Sequence, residues 1–186
     1  MNFVKVSENT FNEIQMEAGL ILNTFDPTGA TEVKDEDIVC TTTGGIEIAC
    51  KPTFTDYGED IDNVPNNMLE FKEIDGWDCS IAFTALNASA SVLKLALCAA
   101  DVADNKITPR NDLTAADAKD IWWVGERKDG GFVACRLLNA LSTEGLTLKT
   151  TKKGKGQISC TLTGHVSIKA QDVVPMEFYV QEGEAA

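Results

Sequence analysis

The densest group of chemically capable side chains is the run Asp56-Tyr57-Gly58-Glu59-Asp60-Ile61-Asp62-Asn63-Val64-Pro65-Asn66-Asn67. Its carboxylates can ligate a hard cation such as Ca²⁺, work as a general acid and base, or offer a charged docking surface. A carboxylate pair alone is a weak catalytic signal, whereas a loop this long in a compact domain is usually functional or mobile. The densest basic group is Lys149, Lys152, Lys153 and Lys155, spread around Gly154 and Gly156. Such lysines discourage edge-to-edge aggregation, and they also complement the acidic loop of a neighbouring copy. Asp35 and Asp37 belong to a solvated loop, since no Asp-x-Asp-x-Asp-Gly ladder follows. His165 is the only histidine and has no Ser, Cys or second His at a motif spacing, so it receives no catalytic role. Cys40, Cys50, Cys79, Cys98, Cys135 and Cys160 show no CxxC spacing and read as buried reduced thiols rather than disulfides or a zinc site. These residues assign no catalytic centre, metal or cofactor.

The elements that must position these groups centre on Met68 to Ala103. Asp75-Gly76 predicts a two-residue hairpin turn. After it, Trp77, Cys79, Ile81 and Phe83 alternate with Asp78, Ser80, Ala82 and Thr84, the pattern of a strand with one buried face. The period then changes, and Val92, Leu93, Ala96, Leu97 and Ala100 fall on one stripe of a helix predicted over 88–102, with Asn87 as N-cap. Upstream, Gly19 within the run from Phe11 favours a strand over 18–25 instead of a helix. Cys40 to Thr55 predicts a strand with a bulge or hairpin at Gly44-Gly45. Downstream, 104–117 reads as a connection holding at most one helical turn at Thr114–Asp117, and 120–125 and 132–138 as two strands across Asp129-Gly130-Gly131. Trp122 and Trp123 must face opposite sides of their strand, one in the core and the other under the helix or against another chain. A last hairpin joins 146–150 to 157–168, with Ile158, Cys160, Leu162 and Val166 on one face. A terminal strand follows over 171–180, and 181–186 forms a frayed tail. Seven to nine strands and one helix predict a mainly β fold, a β-sandwich or partly closed barrel with one flanking α-helix.

Composition sets the outer limits. With 186 residues, 44% of them hydrophobic, the chain suits one domain spanning 1–186. No signal-peptide pattern opens it and no apolar run is long enough to span a bilayer, so a soluble protein made in a reducing compartment is expected. The net charge of −13 is lopsided: residues 1–76 hold 4 basic against 16 acidic side chains, and residues 77–186 hold 12 against 13. Such a surface repels phosphates, which argues against stable nucleic-acid or membrane binding. The same repulsion suits a surface past which DNA must slide without sticking.

Several stretches, in their order, carry a likeness to a known family. They are Ala18-Gly19 with Leu20-Ile21-Leu22 and Phe25-Asp26-Pro27, then Thr42-Thr43-Gly44-Gly45-Ile46, then Phe54-Thr55-Asp56 through Pro65. They continue as Ile107-Thr108-Pro109-Arg110-Asn111-Asp112-Leu113, Asp120-Ile121-Trp122-Trp123-Val124-Gly125, Gly131-Phe132-Val133-Ala134 and Leu138 to Thr143. Lys155-Gly156-Gln157, Thr163-Gly164-His165 and Gln171-Asp172-Val173-Val174-Pro175 complete the set. The chain resembles the major tail tube proteins of long-tailed bacteriophages and prophages over nearly its whole length.

That resemblance implies a non-enzymatic structural subunit, a β-sandwich with a flanking helix that forms stacked hexameric rings around a DNA conduit. It implies as partners other copies of the chain, a tape-measure protein, a tail terminator and distal tail or baseplate proteins, with viral DNA only passing through. It also implies assembly in the bacterial cytoplasm and residence in the virion tail. The expected subunit interface joins Asp56, Tyr57, Gly58, Glu59, Asp60, Ile61, Asp62 and Val64 of one copy to Lys152, Lys153 and Lys155 of another, with 52–67 and 146–168 as assembly arms. Strand faces within 40–51 and 70–80 are expected to line the bore. The tube of a contractile injection system or a phage-tail-like bacteriocin fits the same features. A reading of another class is a ligand- or Ca²⁺-binding β-sandwich, or an enzyme, using the acidic loop.

Overall fold

A computed structural model describes residues 5–7, 9–29 and 32–183. In chain order it holds β1 (Gln15–Leu22), β2 (Ile38–Cys40), β3 (Thr42–Asp56), β4 (Lys72–Ala85), α1 (Ala90–Ala96), β5 (Ala100–Ala103) and β6 (Lys106–Pro109). There follow β7 (Lys119–Arg127), β8 (Phe132–Ser142), β9 (Thr147–Lys149), β10 (Gln157–Thr163) and β11 (Met176–Gln181). Nine strands form one antiparallel sheet in the order β2-β1-β7-β8-β10-β4-β3, with β11 added to β8 and β9 to β10, while β5 and β6 form a separate hairpin.

The alternation seen in sequence is what folds this sheet. Cys79, Ile81 and Phe83 of β4 and Ile158, Cys160 and Leu162 of β10 point inward and are buried. They join Ile21, Trp123, Cys135 and Leu137, and Val92 and Ala96 of α1, in a single main core. Each large side chain taken out of water contributes about 1.5–3 kcal/mol. Strand β8 turns the corner, lying beside β11 over Phe132–Leu137 and beside β10 only at Leu141 and Ser142. Asn139, at φ 46°, sits between the two stretches. Strands β1 and β3 also approach each other, so the sheet curls into the partly closed arrangement that the pattern predicts.

Several boundaries differ from expectation, each for a local reason. The Asp75-Gly76 turn does not exist: β4 runs straight through, Thr53 pairs with Gly76, Phe54 pairs with Ile74, and Asp75 is bulged out between them. The helix is shorter than 88–102. Ser89 is its N-cap, its hydroxyl accepting from the Val92 amide at 3.3 Å, while Asn87 instead accepts from the Thr41 amide at 3.0 Å. Cys98 at φ 66° ends the helix, and the next residues pair with β6 because tertiary hydrogen bonds such as Arg110 N–H to Ala99 C=O outweigh helical propensity. The strand predicted over 18–25 is shifted to Gln15–Leu22, with a bulge between Met16 and Leu20. Of the bulge or hairpin expected at Gly44-Gly45, the structure has the bulge, both glycines having positive φ.

Trp122 and Trp123 take opposite faces as expected, and both are buried. Residues of the same chain, none of them from the helix, bury Trp122. Phe25, Phe132 and Tyr179 surround it with ring centroids 5.2–5.7 Å apart, and Val33 and Ile38 complete a second small core. Val166 does not share the face of Ile158, Cys160 and Leu162: β10 ends at Thr163, and Val166 is exposed. The predicted tail begins within β11 at Gln181, and residues 184–186 lie outside the described residues.

Candidate assembly surface

Strand β10 pairs with β4 only from Ser80 to Ala85. The remainder of β4, paired with β3 from Cys50 to Asp56, therefore projects as a two-stranded ribbon tipped by the acidic loop. The loop is closed at its base by the Tyr57 amide donating to Phe71 C=O at 2.9 Å. Within it the Gly58 amide donates to Asp56 Oδ1 at 3.0 Å, and Asn63 and Asn67 take the left-handed conformation that Asn tolerates. Gly58 is buried against Val64 and Phe71, where a Cβ would sit 3.3–3.4 Å from either side chain. Thr55 Oγ1 donates to Asp75 Oδ2 at 2.6 Å, and Lys72 Nζ donates to Asn67 Oδ1 at 2.7 Å, stitching the ribbon's polar flank. The Tyr57 hydroxyl is held above its ordinary pKa by its hydrogen bond to Glu73.

This ribbon is more apolar than its position allows for a free strand pair. Phe54 is 54% exposed, Ile61 48%, Ile74 49% and Leu69 81%, with Tyr57 and Trp77 also in solvent. An isolated two-stranded hairpin is marginal in water, and this one offers a row of apolar side chains to whatever covers it. Glu59, Asp60 and Asp62 are fully on the outside, and Val64 is half-buried in its own loop. Strand β3 ends the sheet order, so no strand is hydrogen-bonded to its outer edge among the described residues.

Lys152, Lys153 and Lys155 are exposed between β9 and β10. The chain does not bring them to its own acidic loop. Ile158, just after the tip, pairs with Ala85, whereas the acidic loop joins the opposite end of β4 at Lys72. Strand β4 has 14 residues, which puts the two charged groups roughly 45 Å apart at about 3.3 Å per residue.

The outward face between them carries small polar side chains. Glu47, Ala82 and Thr161 lie side by side across β3, β4 and β10, as do Ala49, Ser80 and Thr163. The contribution of β10 to this face is legible in the alternation of Ser159, Thr161 and Thr163 with Ile158, Cys160 and Leu162, which lie outside the 40–51 and 70–80 expected from sequence to line a bore. A second apolar stretch missed from sequence is the face of β11 bearing Phe178 and Val180, the latter 64% exposed.

The remaining candidate groups have local duties. Thr24 Oγ1 donates to Asp37 Oδ1 at 2.6 Å, and His165 Nδ1 lies 3.3 Å from Asn139 C=O. Among the described residues no three His, Cys, Asp or Glu side chains are grouped as a metal site. A cleft of about 320 Å³ opens beside α1, lined by Glu36, Lys94, Cys98, Asp117, Lys119 and Ser142 among others, and no residue of the acidic loop reaches it.

No protein family and no curated protein matches the sequence. Chains of solved structures resemble the fold, among them the following two. One is a chain of the virion of a native gene transfer agent particle, at 9% identity and a TM-score of 0.42, covering 81% of this chain and 92% of that one. The other is a chain of the PVC sheath-tube complex of an extracellular contractile injection system in its extended state, at 14% identity and a TM-score of 0.49, covering 96% of this chain and 99% of that one. At such low similarity neither likeness carries an argument about what this chain does.

Proposed function

We propose that this chain is a structural subunit of a tail tube, without enzymatic activity, whose copies close into hexameric rings that stack into a hollow conduit for DNA. The observation that carries the reading is the separation of the acidic loop from the lysine tip by the length of β4. Groups of opposite sign at opposite ends of one subunit cannot satisfy each other within it, but they meet between copies in a head-to-tail contact. Heterologous contacts of that kind build rings and filaments. The bare edge of β3 and the apolar ribbon supply the rest: pairing edges between copies removes an aggregation hazard, and covering Ile61, Phe54 and Leu69 supplies most of the binding energy.

In this reading Asp56 to Val64 of one copy lies against Lys152, Lys153 and Lys155 of another. The outward face of β3 and β4, extended by β10, lines the bore. Its small hydroxyl and methyl side chains offer DNA no bulky obstruction, Lys51 is matched by Asp78 directly across the ladder, and Glu47 adds negative charge. The tape-measure protein, tail terminator and distal tail proteins are its partners at the ends and along the lumen, and the virion tail is its destination. Electron microscopy of the purified chain at rising concentration tests this. Rings or tubes are expected from the native chain and none from an Ile61→Asp/Val64→Asp variant with an unchanged circular dichroism spectrum. Native material that stays monomeric at every concentration, or unchanged tubes from the variant, overturns it.

A further inference from the structure

Cys50 and Cys79 are direct partners in the β3–β4 ladder, and their sulfurs lie 3.2 Å apart. Facing residues of an antiparallel pair have Cα atoms about 4.5–5.5 Å apart, inside the span of about 4.4–6.8 Å that a disulfide bridges. Closing the gap asks the sulfurs only to approach to about 2.05 Å, without moving either strand out of register. The two thiols differ in access. Cys79 is buried in the main core, whereas Cys50 is only partly buried against that core, on the strand whose outer edge is unpaired. Cys135 is the nearby third thiol, but it is fully buried and lies on β8, which meets β4 across the core without pairing with it or with β3.

From this geometry we infer that Cys50 and Cys79 form a built-in oxidative cross-linking site, which takes a low-molecular-weight disulfide as its oxidant and staples the base of the projecting ribbon. The Cys50 thiolate attacks one sulfur of oxidised glutathione, breaking its S–S bond and releasing one glutathione thiolate, which takes up a proton. Cys79 then gives its proton to water, its sulfur attacks the Cys50 sulfur of the mixed disulfide, and the second glutathione leaves. Two protein thiols are oxidised by two electrons and one glutathione disulfide is reduced to two thiols. Burial, reinforced by the Cys50 thiol, pushes the Cys79 thiol up to about 12, so the closing step quickens as pH rises. Where glutathione is kept reduced both groups stay thiols, and the bond forms where oxidant prevails. The two cysteines stand 29 positions apart, so the bond encloses the whole acidic loop and ribbon in one covalent ring. The site stands independently of the tube reading.

The test is to incubate the native full-length chain with oxidised glutathione, alkylate the remaining thiols and map the peptides by mass. A single Cys50–Cys79 bond is expected, with the other four cysteines alkylated. The melting temperature is expected to rise by roughly 5–10 °C and to fall back with dithiothreitol. Cys135→Ser keeps the bond, and Cys50→Ser and Cys79→Ser each lose it. Should Cys79→Ser fail to fold, Cys50→Ser and Cys135→Ser carry the comparison. Six alkylated thiols after oxidation, a bridge through Cys135, glutathione left on Cys50 without ring closure, or a bond that forms only in denaturant overturns the site.

Discussion

Gly19 shows how one residue sets local geometry. It lies in the β1 bulge at φ 75°, and a Cβ there would sit 2.6 Å from Trp123 Nε1 and 2.5 Å from Val124 C=O. The Trp123 indole N–H donates to Ala18 C=O at 2.9 Å over the same spot. Gly19→Ala adds left-handed strain and overpacking, so it is expected to cost about 2–4 kcal/mol, read as a lowered urea midpoint at unchanged m-value. Asp117 is a second such residue. It accepts from the Thr114 hydroxyl at 2.7 Å and amide at 2.9 Å and takes both oxygens to Arg110 at 2.7 and 2.8 Å. The Thr114 hydroxyl and amide, then Arg110, hold its carboxyl down at about 2 from an ordinary 3.8. A depressed carboxylate stabilises the fold above its unfolded pKa and loses that contribution as pH falls through the folded one. Melting temperature is therefore expected to drop between about pH 4 and pH 2, and Asp117→Asn is expected to lose stability at neutral pH and show a shallower drop in that window.

At the scale of elements, α1 and the ribbon each have a weak point that follows from their length. The helix is 7 residues, too short to stand alone, and it survives because Val92 and Ala96 are buried and Ser89 caps its start. Ser89→Ala is expected to cost about 0.5–2 kcal/mol, measured by thermal unfolding, while Asn87→Ala acts on the Thr41 contact and leaves helix content unchanged. The short helix and the missing hairpin share a lesson about reading. The stripe of Val92 and Ala96 was legible because it faces the core, but Ala100 continues that spacing while belonging to a strand. Asp75-Gly76 is a turn signal that long-range pairing with Thr53 and Phe54 turns into a bulge. In both places short-range preference lost to a ladder formed with residues distant in sequence.

For the whole molecule, the decisive feature is polarity along one axis: carboxylates at one end of β4, lysines at the other. In the proposed tube, exposed ion pairs contribute little each, so reversing charge with Lys152→Glu/Lys153→Glu/Lys155→Glu is expected to slow assembly several-fold without abolishing it, unlike burying Asp at Ile61 and Val64. Raising salt is expected to slow assembly of the native chain and to affect the reversed variant far less, because a Debye length of about 10 Å at 0.1 M screens contacts at this exposure. Light scattering against ionic strength measures both.

By itself the sequence determined the mainly β class, the inward face of β4 from Cys79 to Phe83 and of β10 from Ile158 to Leu162, a break at Gly44-Gly45, the opposed tryptophans and the charge of loop and tip, whereas Trp77 and Val166, placed on those faces by the same period, are exposed. Each is a matter of period, turn chemistry or composition, all local properties of the chain. Only the tertiary structure decided that Trp122 has its own aromatic core, that Cys50 faces Cys79, and that the acidic loop and lysine tip are held far apart. Those depend on register and on which strands become neighbours, and these are set by burying one shared core rather than by any short stretch of residues.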